Sequence, residues 1–149
     1  VVMVPARNEE ANLARLLPSV LAQTGVEWHA VVVDDASDDG TWGVIEAHRA
    51  RDARLVGVRG SGPPPGWVGK VYALHTAAAR AFELLGELRA DDVFVFLDAD
   101  AELTDSGALA RLVSRRQAAG GGALTGMPRL RDGGGAALLT SLVPFAVVA

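Results

Sequence analysis

Short apolar runs alternate with longer stretches of helical periodicity along the chain. Apolar runs of four or five residues indicate buried strands, and the candidates are VVMV, HAVVV, RLVGV, VFVFL and ALTG. The first predicted helix carries apolar residues on one face at Leu13, Leu16, Leu17, Val20 and Leu21, and further helices are predicted over 41–51, 70–88 and 106–119. Continuously apolar strands that alternate with helices indicate an α/β fold, with a mostly parallel, Rossmann-like sheet and helices on both faces.

Three of the predicted strands end in polar residues. PARNE follows the first strand, DDASDDG the second and DADAE the fourth. Ligands of such sheets bind beyond the carboxyl ends of the strands. If these three strands are parallel neighbours, their polar ends converge on one crevice, and this convergence is the main functional signal of the sequence.

The DADAE segment is a candidate metal site. Asp98, Asp100 and Glu102 alternate with alanines, so in extended backbone their carboxylates face the same side. Crowded carboxylates repel one another unless a cation lies among them, and oxygen ligands suit Mg²⁺ or Mn²⁺. The alternative is that these acids only end the strand and lead into the next helix, with Asp105 as its cap.

The second polar strand end holds two different kinds of acid. Asp38 and Asp39 are typical of turns and helix caps. Asp34 or Asp35, at the lip of the strand, can face the crevice and accept hydrogen bonds from a base N–H or a ribose hydroxyl. At the first strand end, Asn8 is predicted to cap the following helix.

A loop rich in glycine and proline, GSGPPPGWVGK, precedes the third predicted helix. Pro64 stands where a Walker loop needs glycine, and Pro65 stands where a dinucleotide-binding fingerprint needs it. Lys70, at the helix start, is either an anion contact or an ordinary exposed lysine. Trp67 either packs the loop down or lines a pocket.

Composition limits the class of partner. The chain has 149 residues, enough for one domain with a real core. Its net charge of −4 argues against nucleic acid, which requires a concentrated basic face. It contains no cysteine, which excludes disulfides and thiolate metal sites. Both ends lie inside apolar runs, so we expect the N-terminal part of a larger protein, truncated at its C-terminus.

Three blocks together carry a resemblance to a known family. VVMVPARNEEANLARLLPSVLAQ, VVVDDASDDGT and VFVFLDADAEL, in that order, resemble the nucleotide-binding half of family 2 glycosyltransferases, which have the GT-A fold. The loop PPPGWVGKVYAL is similar to the membrane-associated branch that includes hopanoid- and carotenoid-associated enzymes. The resemblance implies residues 1–135 as a nucleotide-sugar-binding half-domain and 136–149 as the start of an apolar interfacial or membrane-associated segment.

The resemblance also implies roles for residues. Pro5, Arg7 and Glu9 lie where the first loop of the family touches the nucleoside, and Asp98 and Asp100 match its D-x-D pair. Together with the strand-end argument, this gives the predicted donor-binding residues Pro5, Arg7, Glu9, Asp34, Asp35, Lys70 and Asp98. The predicted ligands of a divalent cation, Mn²⁺ or Mg²⁺, are Asp98, Asp100 and Glu102.

The implied reaction is metal-dependent, inverting transfer of a sugar from a nucleotide-diphosphate donor to an acceptor hydroxyl, with a lipid or polyisoprenoid as the expected acceptor. The general base of the family belongs to a later motif, expected beyond Ala149, so the chain alone is expected to be inactive. The full-length protein is expected at the cytoplasmic face of the membrane. The alternatives are a non-catalytic nucleotide-binding domain, a nucleotidyltransferase and, disfavoured by the failed glycine pattern, a Rossmann-type oxidoreductase.

Overall fold

The computed structural model describes residues 1–126 and 145–148. Strands and helices alternate up to the fourth helix, and two further strands follow it. The elements are β1 (Val2–Ala6), α1 (Glu10–Leu21), β2 (Ala30–Asp35), α2 (Thr41–Arg49), β3 (Leu55–Gly60), α3 (Gly69–Leu85), β4 (Phe94–Phe96), α4 (Ala108–Ala118), β5 (Leu124–Gly126) and β6 (Phe145–Val148).

The six strands form one sheet in the order β3-β2-β1-β4-β6-β5. The first four strands are parallel, and β6 runs antiparallel between β4 and β5. The chain lays down β1, β2 and β3 side by side, and α3 then returns it across the sheet to β4 on the other side of β1. The strand order therefore reverses beside β1, and open α/β sheets bind ligands at such a switch point.

Helices pack on both faces of the sheet, as the alternating pattern predicts. On one face, α1, α2 and α4 cover alternate residues of the central strands, and the apolar side of α1 supplies the fully buried Leu13, Leu16, Leu17 and Val20. On the opposite face, α3 packs through Ala73, Ala77 and Ala81 against Met3, Val31 and Val33. Alanine at every fourth position lets this helix approach the strands closely.

The ends of the elements differ slightly from the predicted ones. Helix α3 ends at Leu85, three residues earlier than predicted, because Gly86 adopts a left-handed φ of 66° that stops the helix. Helix α2 ends at Arg49, and α4 begins at Ala108. The apolar run VFVFL contributes only Phe94–Phe96 as paired strand.

The C-terminal apolar run is partly described. Phe145–Val148 form β6, which pairs with β4 and β5 inside the sheet. Residues 136–144 lie outside the described residues, so the membrane-associated segment stays a prediction. Across the described ranges, no helix combines the length and the apolar character needed to cross a membrane.

Gly57, in β3, lies where the core leaves little room for a side chain. A Cβ added to Gly57 would lie 2.6 Å from Cγ2 of the fully buried Ile45 and 3.4 Å from the Trp42 ring. We expect Gly57→Ala to destabilise the fold by about 1–2 kcal/mol through overpacking. Gly43→Ala, at an exposed helix position with no atom within 4 Å, is the control and should stabilise by about 0.5–1 kcal/mol. Urea unfolding of both variants checks the two signs.

Candidate functional site

A cleft of about 300 Å³ lies at the switch point, beyond the carboxyl ends of β1, β2 and β4 and beside the start of α3. It collects residues from all three polar strand ends and from the first turns of α3. The lining residues are Pro5, Ala6, Arg7, Glu9, Asp35, Gly69, Lys70, Ala73, Asp98 and Asp100. Seven of the predicted site residues are therefore brought together: Pro5, Arg7, Glu9, Asp35, Lys70, Asp98 and Asp100.

Strand pairing explains the convergence. Ala6 pairs with Asp34, so the loops after β1 and β2 leave the sheet at the same level. Met3 pairs with Phe96 on the other side of β1, which brings the end of β4 to the same edge. The crossover helix α3 begins at this edge, and its first residues close the cleft from one face of the sheet.

The two adjacent acids of β2 have different surroundings. Asp35 is 4% exposed and lines the cleft, and its Oδ2 lies where a Cβ on Gly69 would approach to 2.9 Å. Asp34 is buried beneath the turn, where its Oδ1 accepts a hydrogen bond from the Ser37 N–H at 3.0 Å. Within the described residues, Asp34 is not part of the cleft lining, and its Oδ2 has no hydrogen-bond partner. Asp34 therefore shapes the turn that presents Asp35.

An ion pair crosses the cleft. Lys70, in the first turn of α3, places its Nζ 2.6 Å from Oδ1 of Asp98, which follows β4. Both residues line the cleft, and neither is fully buried. The sequence left open whether Lys70 is an ordinary exposed lysine. The structure instead places its ammonium group on a cleft carboxylate.

The prediction that the DADAE segment is extended is wrong. Ala99 and Asp100 lie in a turn, which the Ala101 N–H closes by donating to the Asp98 carbonyl at 3.0 Å. The turn breaks the alternation, so Asp98 and Asp100 line the cleft while Glu102 is exposed outside its lining among the described residues. Glu102 is thus not gathered with the other two acids.

Asp105 has the structural role, at the start of the next helix, that the sequence offered as the alternative to metal binding. Its Oδ1 accepts a hydrogen bond from the Gly107 N–H at 2.9 Å, immediately before α4. Asp105 also forms an ion pair with Arg111. The hydrogen bond from Arg111 and, to a smaller extent, the one from the Gly107 N–H lower the pKa of Asp105 below its ordinary value. This acid therefore organises the start of α4.

The donor atoms of the cleft fit a hard divalent cation. In the described ranges, no group of three or more His, Cys, Asp or Glu side chains is arranged to hold a metal ion. Two carboxylates, Asp98 and Asp100, nevertheless lie in the cleft. Mg²⁺-type sites commonly use one or two protein carboxylates and complete their shell with water and substrate phosphate oxygens. The pair matches such a site, in which the ligand supplies the remaining oxygens.

The net charge of the cleft lining also favours a divalent cation. The lining includes four acids, Glu9, Asp35, Asp98 and Asp100, and two basic residues, Arg7 and Lys70, a formal excess of two negative charges. A phosphate-bearing ligand would add negative charge to a cleft that is already negative. A divalent cation bound with such a ligand would offset this repulsion.

The loops after β1 and β2 are joined by hydrogen bonds. Asn8 has a left-handed φ of 56°, receives the Asp38 N–H on its Oδ1 at 2.9 Å, and donates its own N–H to Ser37 Oγ at 2.9 Å. The Glu9 N–H, at the start of α1, donates to Thr41 Oγ1 at 2.8 Å. The prediction that Asn8 caps α1 is wrong, because its side chain bonds the neighbouring loop. These bonds fix the backbone on which Arg7 and Glu9 reach the cleft.

Asp39 has the structural role predicted for it. Its Oδ1 accepts hydrogen bonds from the N–H and hydroxyl of Thr41, and its Oδ2 accepts the Glu10 N–H at 3.2 Å. These hydrogen bonds lower the pKa of Asp39 below its ordinary value, and the one from the Thr41 hydroxyl has the largest effect. Asp39 therefore links the starts of α1 and α2 and takes no part in the cleft lining among the described residues.

Trp67 packs the loop before α3 onto the helix. Its ring centroid lies 5.5 Å from that of Tyr72 and 5.3 Å from that of His75. The indole remains 44% exposed. Of the two sequence interpretations, packing the loop down is the one that the contacts support.

Sequence reasoning noted Gly69 beside Lys70 at the start of a helix but did not identify Ala6 and Ala73 as lining residues. Ala6, Gly69 and Ala73 contribute space rather than chemistry to the cleft. Small residues beside polar strand ends are a weak signal, because alanine and glycine occur in many other contexts. Gly69 is the informative one, since its missing side chain makes room for the Asp35 carboxylate.

We expect Gly69→Ala to perturb the site and leave the fold intact. The added methyl would lie 2.9 Å from Asp35 Oδ2, so the carboxylate must shift. Alanine also favours helix more than glycine does, so the thermal unfolding temperature should not fall. Ligand affinity at the cleft should fall about 5- to 30-fold, equivalent to a loss of roughly 1–2 kcal/mol. Gly43→Ala, on an exposed helix face, should leave the affinity unchanged.

Comparison with known proteins identifies the family. The model of glycosyl transferase family 2 matches residues 1–137. A 4,4'-diaponeurosporenoate glycosyltransferase of Staphylococcus haemolyticus is 34% identical over 112 residues, covering 75% of this chain and 27% of the relative. An undecaprenyl-phosphate 4-deoxy-4-formamido-L-arabinose transferase of Shewanella sediminis is 31% identical over 105 residues, covering 68% of this chain and 28% of the relative. The chain thus spans about a quarter of the length of these curated relatives.

Solved structures share the fold. A mannosyltransferase from Pyrobaculum calidifontis, in complex with GDP-Man and Mn²⁺, matches with a TM-score of 0.69 at 28% identity, over 88% of this chain and 36% of that chain. S. aureus TarS in complex with UDP-GlcNAc matches with a TM-score of 0.68 at 22% identity, over 99% of this chain and 44% of that chain. The second likeness concerns the fold alone. With the fold in common with these transferases and the family model matched over residues 1–137, the chain belongs to glycosyl transferase family 2.

Proposed function

We propose that this chain forms the donor-binding part of a glycosyltransferase that takes a sugar from a nucleotide-diphosphate donor. The observation that supports it most is the convergence of Asp35, Asp98, Asp100 and Lys70 from separate elements on one cleft at the switch point. At one side of the cleft Asp35 would bind the nucleoside, and at the other Asp98 and Asp100 would bind the metal ion. This arrangement suits an extended, charged donor.

The nucleoside would lie against the ends of β1 and β2. Asp35 would accept hydrogen bonds from a base N–H or a ribose hydroxyl, groups that suit a mostly buried carboxylate. Pro5, Arg7 and Glu9 line the same part of the cleft from the loop after β1. The hydrogen bonds between the two loops would keep this part in place before the donor arrives.

The diphosphate would lie between the end of β4 and the start of α3. Asp98 and Asp100 would hold Mn²⁺ or Mg²⁺, which when bound neutralises the negative charge that builds up on the departing diphosphate. Lys70 and the backbone N–H groups at the start of α3 would contact phosphate oxygens. Glu102 would act from further away, since it is exposed outside the lining.

The relatives suggest the rest of the reaction. Their names give one acceptor as diaponeurosporenoate and another as undecaprenyl phosphate, so we propose a lipid or polyisoprenoid acceptor. The structural neighbours bind GDP-Man with Mn²⁺ or UDP-GlcNAc, so GDP and UDP sugars are the donors to test. Inversion at the sugar carbon, and action of the whole protein at the cytoplasmic face of a membrane, belong to the same proposal.

Titration calorimetry with UDP and GDP, each with and without Mn²⁺, tests the proposal. We expect one of the two nucleotides to bind in the presence of Mn²⁺ and to bind at least about tenfold more weakly without it, because the negative lining then repels the diphosphate. The matching nucleoside monophosphate should depend less on the metal. Binding that is equally strong with and without Mn²⁺, or absent for both nucleotides, would refute the proposed function.

A further inference from the structure

We propose that Lys70 competes with the metal ion for Asp98, so that the cleft binds the cation well only together with the diphosphate. This inference rests on the proposed donor site and concerns the order in which its components assemble. In the ligand-free cleft, the Lys70 ammonium group is the cation that neutralises Asp98. When a metal–diphosphate complex enters, the ammonium group transfers from Asp98 to the phosphate oxygens.

The ion pair has the geometry that such an exchange requires. Lys70 Nζ lies 2.6 Å from Asp98 Oδ1, a direct contact with an oxygen that the cation would need. The Lys70 side chain is 45% exposed and that of Asp98 is 27% exposed. A half-exposed lysine on a flexible stem can leave its partner at small cost, whereas Asp98 is fixed by the end of β4 and by the turn that follows it.

The position of Lys70 supplies its second partner. It lies in the first turn of α3, where unpaired backbone N–H groups and the helix dipole favour an anion. Lys70 and Asp98 both line the cleft, so a diphosphate bound between the end of β4 and the start of α3 would lie within reach of the lysine. The ammonium group therefore has an anion within reach both before and after the donor binds.

The exchange couples the binding of metal and nucleotide. A metal ion that enters alone must displace the ammonium group and leave it beside a second cation, so its affinity is low. A metal ion that enters with a diphosphate gives the displaced ammonium group a new partner. By linkage, nucleotide increases the affinity for metal by the same factor by which metal increases the affinity for nucleotide.

Lys70→Met separates these effects, because methionine keeps the apolar stem and removes the charge. With Mn²⁺ alone, followed by the electron paramagnetic resonance signal of the free ion, we expect the variant to bind about threefold or more tightly than the wild type. With Mn²⁺ present, we expect the variant to bind UDP or GDP about tenfold or more weakly. A merely structural role of Lys70 would not shift the two affinities in opposite directions.

Lys70→Arg is the rescue variant: it keeps the positive charge at the start of α3 with a different geometry, so both affinities should lie between those of Lys70→Met and the wild type. Mn²⁺ binding by Lys70→Met that is unchanged or weaker than in the wild type would overturn the proposal. Wild-type chain that binds neither UDP nor GDP would instead refute the proposed function, while the titrations with Mn²⁺ alone would still decide whether Lys70 competes for Asp98.

Discussion

Replacing Asp98 or Asp100 with alanine should abolish the Mn²⁺-dependent part of nucleotide-diphosphate binding. Of the four acids in the cleft lining, these are the two proposed to hold the cation, and a site with only two protein ligands depends strongly on each of them. We expect the affinity for UDP or GDP with Mn²⁺ to fall about 100-fold or more, beyond the range seen when an outer-shell partner is removed. Titration calorimetry with and without Mn²⁺ measures the change.

The two variants should differ when the metal is absent. Asp98→Ala leaves the Lys70 ammonium group without its partner, so metal-free nucleotide should bind at least as tightly as to the wild type. Asp91→Asn, an exposed acid before β4, is the control and should change neither binding nor the unfolding temperature. Asp98→Ala and Asp100→Ala variants that are folded and still show the full response to Mn²⁺ would contradict the assignment of these acids.

Replacing Asp35 with asparagine should weaken nucleotide binding whether or not the metal is present. The buried carboxylate is proposed to accept hydrogen bonds from the nucleoside, and hydrogen bonds to a charged group contribute about 1.5–3 kcal/mol each. The affinity should therefore fall about 10- to 100-fold. The loss should be similar for the nucleoside monophosphate and the diphosphate, unlike the loss caused by Asp98→Ala.

Asp38→Asn is the matched control for Asp35→Asn. It changes an exposed acid of the same loop that, among the described residues, is not part of the cleft lining, so the affinity should not change. A loss for Asp35→Asn that appears only with Mn²⁺ would place this acid at the diphosphate instead. No loss at all would remove it from the donor site.

The fold follows from the sequence wherever periodicity carries the information. Continuously apolar strands such as HAVVV require cover on both faces, and the leucines of α1 mark its buried side. The boundaries depend on local backbone conformation that periodicity does not contain. Gly86 is an example, since only its left-handed φ ends α3 before Leu88.

The site is predictable to the extent that strand ends converge in a parallel sheet. The sequence placed Asp35, Asp98 and Asp100 at strand ends, and the pairing of β1 with β2 and β4 brings them together. Contacts between distant segments were not predictable. The Lys70–Asp98 pair joins residues that no short motif relates, and Asn8 bonds a neighbouring loop rather than its own helix.

Asp34 and Glu102 illustrate why acids next to a cleft residue are ambiguous in the sequence. The register of β2 turns Asp34 under the loop and Asp35 into the cleft. A single hydrogen-bonded turn at Ala99 and Asp100 separates Glu102 from Asp98. In both cases a rotation of a few backbone angles decides which acid reaches the cleft, and the sequence pattern does not specify that rotation.

The most direct test is a crystal structure of the chain with Mn²⁺ and whichever of UDP or GDP binds. We predict the diphosphate between Lys70 and the Asp98–Asp100 pair, the cation on those two carboxylates, and the nucleoside against Asp35. A nucleotide bound elsewhere on the molecule, or a cation that touches neither Asp98 nor Asp100, would contradict the account.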